Sequence, residues 1–181
     1  MILKPLIPVI ATIFVNHLIG FFMSILQVSP QLLNQIYTHA EQAYPHECCG
    51  ILMGRLEAED YKILVEVIPT ENAWNQETAD HFKPLETSNQ QLTTTERRYT
   101  IAPEALLNAQ KQGRDRQLSI IGIYHSHPDH TAMPSEFDRV CAWFGYSYII
   151  VSVQQKKVTD LRSWCLDQQH QFKSEEILSI S

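Results

Sequence analysis

The chain is short of positive charge. Fourteen Lys and Arg stand against 20 Asp and Glu, a formal net charge of −6, and no basic cluster is longer than a pair. Nucleic acid is held by a basic stripe that neutralises phosphates, so no nucleic-acid partner is expected. Cysteine is scarce too: there are four, and two of them are the neighbours Cys48 and Cys49. Adjacent cysteines bridge each other only with strain, and no regular spacing suggests a disulfide framework. A reducing compartment follows, and the cytoplasm is the expected location. No repeat or low-complexity tract appears. Apolar residues make up 44% of the chain, a globular share that excludes wholesale disorder. At 181 residues the chain fits one domain with a core of its own.

Charge is nearly absent from the first 26 residues, "MILKPLIPVIATIFVNHLIGFFMSIL", where Lys4 stands alone. Leu6 to Leu26 approaches the about 20 apolar residues that cross a bilayer. Three readings stand open. A membrane anchor would leave the domain in the cytoplasm, but Pro8, Asn16 and His17 weaken the insertion signal. A signal peptide lacks an A-x-A-like cleavage site after the apolar run. Alternatively the segment lies upstream of a true start at Met23, since a self-sufficient domain begins at Ser24. Membrane contact is expected only through residues 1–26.

Beyond that segment the elements alternate. "SPQLLNQIYTHAEQAYP" reads as a helix with Ser29 as N-cap and Pro30 in the first turn. Its apolar positions Leu32, Leu33, Ile36, Tyr37 and Ala40 repeat at helical spacing. "CCGILMG" and "YKILVEVIP" read as a hairpin across an acidic turn. Residues 71–99 are polar and aperiodic, a stretch whose length marks it as functional or disordered. A second helix opens at Pro103 and is expected to end at Gly113. "QLSIIGIYHSH" is a strand, and a third helix should start near Pro134 and Ser135 and run to Phe144. "YSYIIVSVQ" and "VTDLRSWCL" form another hairpin. The tail from Asp167 is weakly patterned. Mixed helices and strands dominated by hairpins give an α+β (or α/β) class with a largely antiparallel sheet.

The chemistry gathers in "GIYHSHPDHTAMPSEFD". Strand side chains alternate, so His125 and His127 project the same way, in phase with Ile121 and Ile123. Asp138 follows in the first turn of the third helix, and a loop holding Pro128 and Pro134 can return its carboxylate to the two imidazoles. Two nitrogens, one oxygen and an open fourth position describe a catalytic zinc site, whereas structural zinc sites close all four. Such a site needs a base, and Glu47 is the candidate, because an unpaired carboxylate at the mouth of an apolar strand is costly to bury. Taken alone it reads better as a solvated loop acid. Ser135 and Asp138 also read as a capping box, Ser-x-x-Asp ahead of an apolar run. The Ser135 hydroxyl can serve that role and still donate to an oxyanion.

"PHECCGIL" followed by "HSHPDHTAMPSEFD" resembles the JAMM (MPN-plus) metallopeptidases, in their short bacterial form. Their signature is a glutamate before a Cys-Gly strand, then His-x-His-Pro and Ser-x-x-Asp. Its elements stand here at Glu47, Cys49, Gly50, His125, His127, Pro128, Ser135 and Asp138. The resemblance implies a catalytic domain over residues 24–166, with 1–22 an apolar extension and 167–181 a tail. It implies a curved, mainly antiparallel sheet flanked by helices. It implies one zinc per chain held by His125, His127 and Asp138, with Glu47 as general acid/base and Ser135 as oxyanion stabiliser. The reaction implied is hydrolysis of a peptide or isopeptide bond. Short members without ubiquitin-gripping insertions are similar to bacterial peptidases that trim ubiquitin-like sulfur-carrier proteins after a C-terminal glycine.

Rival readings are an inactive MPN-type scaffold, which loses these ligands, and a mononuclear iron oxygenase, whose order is normally His-x-Asp/Glu and a distant His. Other residues have blander explanations. His130 is read as a loop residue, Cys48 and Cys49 as small buried residues, and His39 as part of a helical surface. Asp80 and His81 have no element to fix them. Trp74, Phe82 and Tyr99 line a groove or pin a loop.

Overall fold

The computed structural model describes residues 24–58, 60–82 and 98–179. The apolar segment 1–22, the expected start at Met23 and residues 83–97 of the polar stretch lie outside the described residues. Strand β1 (Ile25–Val28) leads into helix α1 (Pro30–Ala43) and the hairpin β2 (Cys49–Ala58) and β3 (Tyr61–Thr70). After α2 (Gln76–Phe82) and α3 (Pro103–Arg114) come β4 (Ser119–Pro128) and α4 (Glu136–Cys141). The hairpin β5 (Ser147–Gln154) and β6 (Lys157–Leu166) precedes β7 (Phe172–Ser179). The strands close into a barrel in the order β1-β3-β2-β4-β5-β6-β7. Four pairings are antiparallel and three are parallel. The α+β class with a mainly antiparallel, helix-flanked sheet therefore holds, and its curvature runs to closure.

Local chemistry explains most element ends. Ser29 Oγ accepts the Leu32 N–H at 3.3 Å, with Pro30 in the first turn of α1, the cap its sequence announced. Helix α3 runs to Arg114, one residue past Gly113. Helix α4 stops at Cys141, short of Phe144, because Ala142 takes extended backbone angles. All four cysteines are free thiols. Among the described residues no helix is long and apolar enough to cross a membrane.

Two helices cover opposite faces of the sheet. Ile36 and Ala40 of α1 pack with Leu52, Ile121, Tyr124 and Val151. Ala109 of α3 packs with Ile51, Met53 and Ile120, and Ile123 lies against this second cluster. Strand β4 thus feeds both. The expected phase of Ile121 with Ile123 does not hold, because Leu52 pairs with Gly122 while Met53 pairs with Ile120. Ile121 is the extra residue of a β-bulge, and the bulge turns it to the α1 side.

Strands β1 and β7 were not legible as strands, yet they close the barrel. The tail expected to be patternless forms β7, whose one buried residue is Glu175. Its carboxylate meets the buried Lys62 ammonium at 2.9 Å. Lys62 also donates to Ser147 Oγ at 3.0 Å, and the hydroxyls of Ser24 and Ser163 donate to Glu175 at 2.6 and 2.5 Å. One ion pair, fully hydrogen-bonded, joins β3, β5, β6, β7 and the entry to β1. Removing one partner strands a buried charge, which typically costs about 3–5 kcal/mol. Lys62→Met should lower stability by that order in chemical denaturation, and adding Glu175→Gln should recover part of the loss. A double variant no more stable than Lys62→Met would show that the stranded charge is not the cause.

Candidate metal centre and its cleft

Strand β4 ends in the centre. His125 and His127 face one side and Ser126 the other, as a pleat requires. Ser126 N–H donates to the Cys48 carbonyl at 3.1 Å, and Ser126 Oγ accepts the Cys48 N–H at 2.9 Å. These bonds lock the residue after Glu47 onto the residue between the two histidines.

The Nε2 atoms of His125 and His127 lie 3.0 Å apart. Asp138 Oδ1 is 3.4 Å from His125 Nε2, and Oδ2 is 3.8 Å from His127 Nε2. Ligand atoms of all three residues fall within 4.8 Å of one another. A tetrahedral ion with bonds of about 2.0–2.1 Å sets its donors about 3.3 Å apart, so the cluster is near the span a cation requires. The donor chemistry fits as well. His127 Nδ1 donates to the Thr131 carbonyl at 2.9 Å; a carbonyl only accepts, so the proton sits on Nδ1 and Nε2 keeps its lone pair. His125 is fully buried, and burial pushes its imidazole down to about 4, so it is neutral at pH 7. Its Nδ1 has no hydrogen bond among the described residues, and Tyr99 stacks on its ring at 4.4 Å and 23°. The triad is positioned to bind a metal.

Asp138 comes from the first turn of α4 through a complete capping box. Its N–H donates to Ser135 Oγ at 3.1 Å, and its Oδ2 accepts Ser135 N–H at 2.6 Å and Ser135 Oγ at 2.7 Å. The cap that starts the helix therefore also aims the carboxylate. Burial pushes the Asp138 carboxyl up, but the two imidazoles and the Ser135 bonds outweigh it and hold the group below its usual range.

Glu47 is buried in the same cleft. Burial, then the charge of Asp138, pushes its carboxyl well above the usual range, with Arg98 opposing. A carboxyl raised in this way keeps its proton more readily than a solvated loop acid does. Burial raises the thiols of Cys48 to about 12 and Cys49 to about 11, so neither is a thiolate nucleophile.

The far wall comes from the polar stretch. Asn72 donates through Nδ2 to the carbonyls of Glu47 at 3.1 Å and Arg98 at 2.8 Å. Its Oδ1 accepts the N–H groups of Trp74 at 3.0 Å and Thr100 at 3.3 Å. One amide thus ties the segment bearing Glu47 to the segment bearing Arg98 and Tyr99. Tyr99 lines the cleft, Arg98 lies 4.6 Å over the Phe137 ring, and Trp74 meets that ring edge-on at 5.8 Å. The cleft encloses about 220 Å3. Asn72, Arg98, Thr131 and Phe137 were missed in the sequence: the first two lie in a stretch that shows only length and polarity, and the last two lie among the motif residues without belonging to the motif. His130 lines the cleft outside the ligand cluster, and Asp80 and His81 fall on α2. Phe82 ends α2. His39 is more than a surface residue, since its Nδ1 lies 2.7 Å from the hydroxyl of buried Tyr124.

Comparison with known proteins agrees with this architecture. The profile of a family described as prokaryotic homologs of the JAB domain matches residues 29–167. A Thermus thermophilus protein named a probable TtuB-protein conjugate cleaving protease is 32% identical over 131 residues, 72% of each chain. Tail tip assembly protein K of Escherichia phage N15 is 29% identical over 107 residues, 59% of this chain; the match spans 32% of the phage protein's length. A Desulfitobacterium hafniense protein solved in solution superposes with a TM-score of 0.66 at 26% identity, covering 87% of this chain and 93% of its own. A Salinibacter ruber protein gives 0.60 at 28% identity, covering 88% and 92%.

Asn72→Ala should leave two carbonyls and two N–H groups without their partner. An unsatisfied buried group costs about 1–3 kcal/mol, so destabilisation in that range is expected, with faster hydrogen exchange at Trp74 and Thr100. Wild-type exchange at both amides would show that Asn72 does not hold the wall.

Proposed function

The chain belongs to the prokaryotic JAB-domain family, of JAMM/MPN type, and from that premise we propose that it is a zinc metallopeptidase that cleaves a peptide or isopeptide bond after the C-terminal glycine of a ubiquitin-like sulfur-carrier protein. The supporting observation is the convergence of His125, His127 and Asp138 in one cleft with a buried Glu47, whose carboxyl burial pushes up. The relative named as a conjugate-cleaving protease points to a protein-conjugate substrate.

In this reading His125 Nε2, His127 Nε2 and the Asp138 carboxylate hold one zinc per chain. Zinc held there would supply a water of pKa lowered to about 7 and Lewis-acid polarisation of a carbonyl. Glu47 accepts the proton of the attacking water and delivers it to the departing amine nitrogen, which leaves as a neutral amine. Its raised carboxyl suits both directions of transfer. Ser135 turns its hydroxyl from Asp138 Oδ2 to the oxyanion. Oδ2 keeps the Ser135 N–H at 2.6 Å, so the switch does not strip Asp138 of support. A glycine tail carries no side chain, so its backbone can come close to the ligand cluster. Tyr99 and Phe137 wall the path it would take.

His127→Ala should lose most of the roughly one zinc per chain that wild type carries, measured by elemental analysis. Glu47→Gln should keep the metal and lose turnover. Full zinc retention in the first variant, or near-wild-type activity in the second, would remove that residue from its role.

Mass spectrometry of carrier adducts incubated with wild type and with Glu47→Gln tests the substrate. Wild type should release the group beyond the terminal glycine, and Glu47→Gln should not. Cleavage elsewhere in the carrier, or equal cleavage of unrelated peptides by both proteins, would rule the carrier out.

A further inference from the structure

Between the ligands His127 and Asp138 the chain leaves the barrel at Pro128 and turns through Asp129, which takes a φ of 54°. The next three carbonyls are each engaged. His130 O accepts Ser152 Oγ at 2.6 Å, Thr131 O accepts His127 Nδ1 at 2.9 Å, and Ala132 O accepts Trp164 Nε1 at 3.0 Å. The outer two are gripped by the barrel wall and the middle one by a metal ligand. Ser152 on β5 and Trp164 on β6 are both buried. Thr159 Oγ1 lies 3.1 Å from Ser152 Oγ; since the Ser152 proton is spent on His130, Thr159 must be the donor there. The indole N–H of Trp164 is donor-only. The start of the turn is fixed as well, with Asp129 N–H on the Val153 carbonyl at 2.8 Å and Tyr44 Oη on Asp129 Oδ2 at 2.9 Å.

We propose that Ser152 and Trp164 are positioning residues for the ligand His127, acting through the Thr131 carbonyl; the proposal rests on the metal-site reading above. A peptide plane turns only about the two soft dihedrals of each residue. With the carbonyls on both sides tied to β5 and β6, the Thr131 carbonyl has little freedom to swing. It therefore stays on His127 Nδ1 and keeps the proton there, leaving Nε2 free to ligate. If either tie is cut, the carbonyl can leave the ring, the Nε2–H tautomer becomes accessible, and that form cannot ligate through Nε2, the atom that faces His125 and Asp138. Neither wall residue belongs to the ligand motif. The loop alone would give the metal ligand its tautomer only as long as the barrel wall holds the loop.

Trp164→Phe keeps the ring and removes the N–H, and Ser152→Ala removes only the hydroxyl. Two readouts are needed. In zinc-free protein, long-range proton–nitrogen NMR should show His127 as the Nδ1–H tautomer in wild type and a shift toward Nε2–H in each variant. In zinc titrations against a chromophoric chelator, each variant should bind about 10- to 100-fold more weakly, the range for outer-shell partners of a ligating histidine. Reduced thermal stability with wild-type tautomer and zinc affinity would mark a purely structural role and overturn the proposal. If one variant fails to fold, the other decides. A wild-type protein that binds no zinc but whose variants shift the tautomer would sink the metal reading and leave the positioning intact.

Discussion

Strand β4 is hydrogen-bonded along both edges, antiparallel to β2 and parallel to β5, and the centre takes its geometry from those two registers. The β2 side sets Cys49 opposite His125, which brings Glu47 to the mouth of the cleft. The β5 side sets Ser152 opposite His127, which puts the hydroxyl where it can grip the following loop. The parallel register also leaves no room at Gly122, where a Cβ would lie 2.1 Å from the Ser147 carbonyl oxygen. Glycine there is a condition of close strand approach. A slip of one residue would turn both imidazoles to the opposite face of β4, where Tyr124 packs against α1.

Two groups of buried charge illustrate opposite uses of the interior. Around Lys62 and Glu175 opposite charges meet and hydroxyls surround the carboxylate, so the pair joins four strands through buried polar groups. Around Glu47 and Asp138 two carboxyls share a cleft with the imidazoles of His125 and His127. There burial, and then the charge of Asp138, pushes Glu47 up, while the imidazoles and the Ser135 bonds hold Asp138 down. Carboxyls driven apart in proton affinity are the arrangement that acid–base chemistry needs.

Much of the centre was legible because it depends on short-range rules. Pleat alternation places His125 and His127 on one side, and the Ser-x-x-Asp pattern makes the cap that aims Asp138. Helix α1 was legible from Ser29 and its spacing, and both hairpins from their turns. The illegible parts share a cause. Strand β7 hides because its buried residue is a glutamate, so apolar alternation is missing where the barrel closes. Strand β1 hides inside an apolar run. The bulge at Ile121 has no local signature, because it is a mismatch between two strands.

The sequence by itself determined the residue types of the triad, their order, the caps and the class of fold, since these rest on local patterns of spacing and turn chemistry. Tertiary structure alone decided which distant groups serve that cluster. Asn72, Tyr99, Ser152 and Trp164 reach it from the polar stretch and from β5 and β6. Their roles are set by hydrogen bonds and ring contacts across the barrel, and a one-dimensional pattern carries no record of such distances.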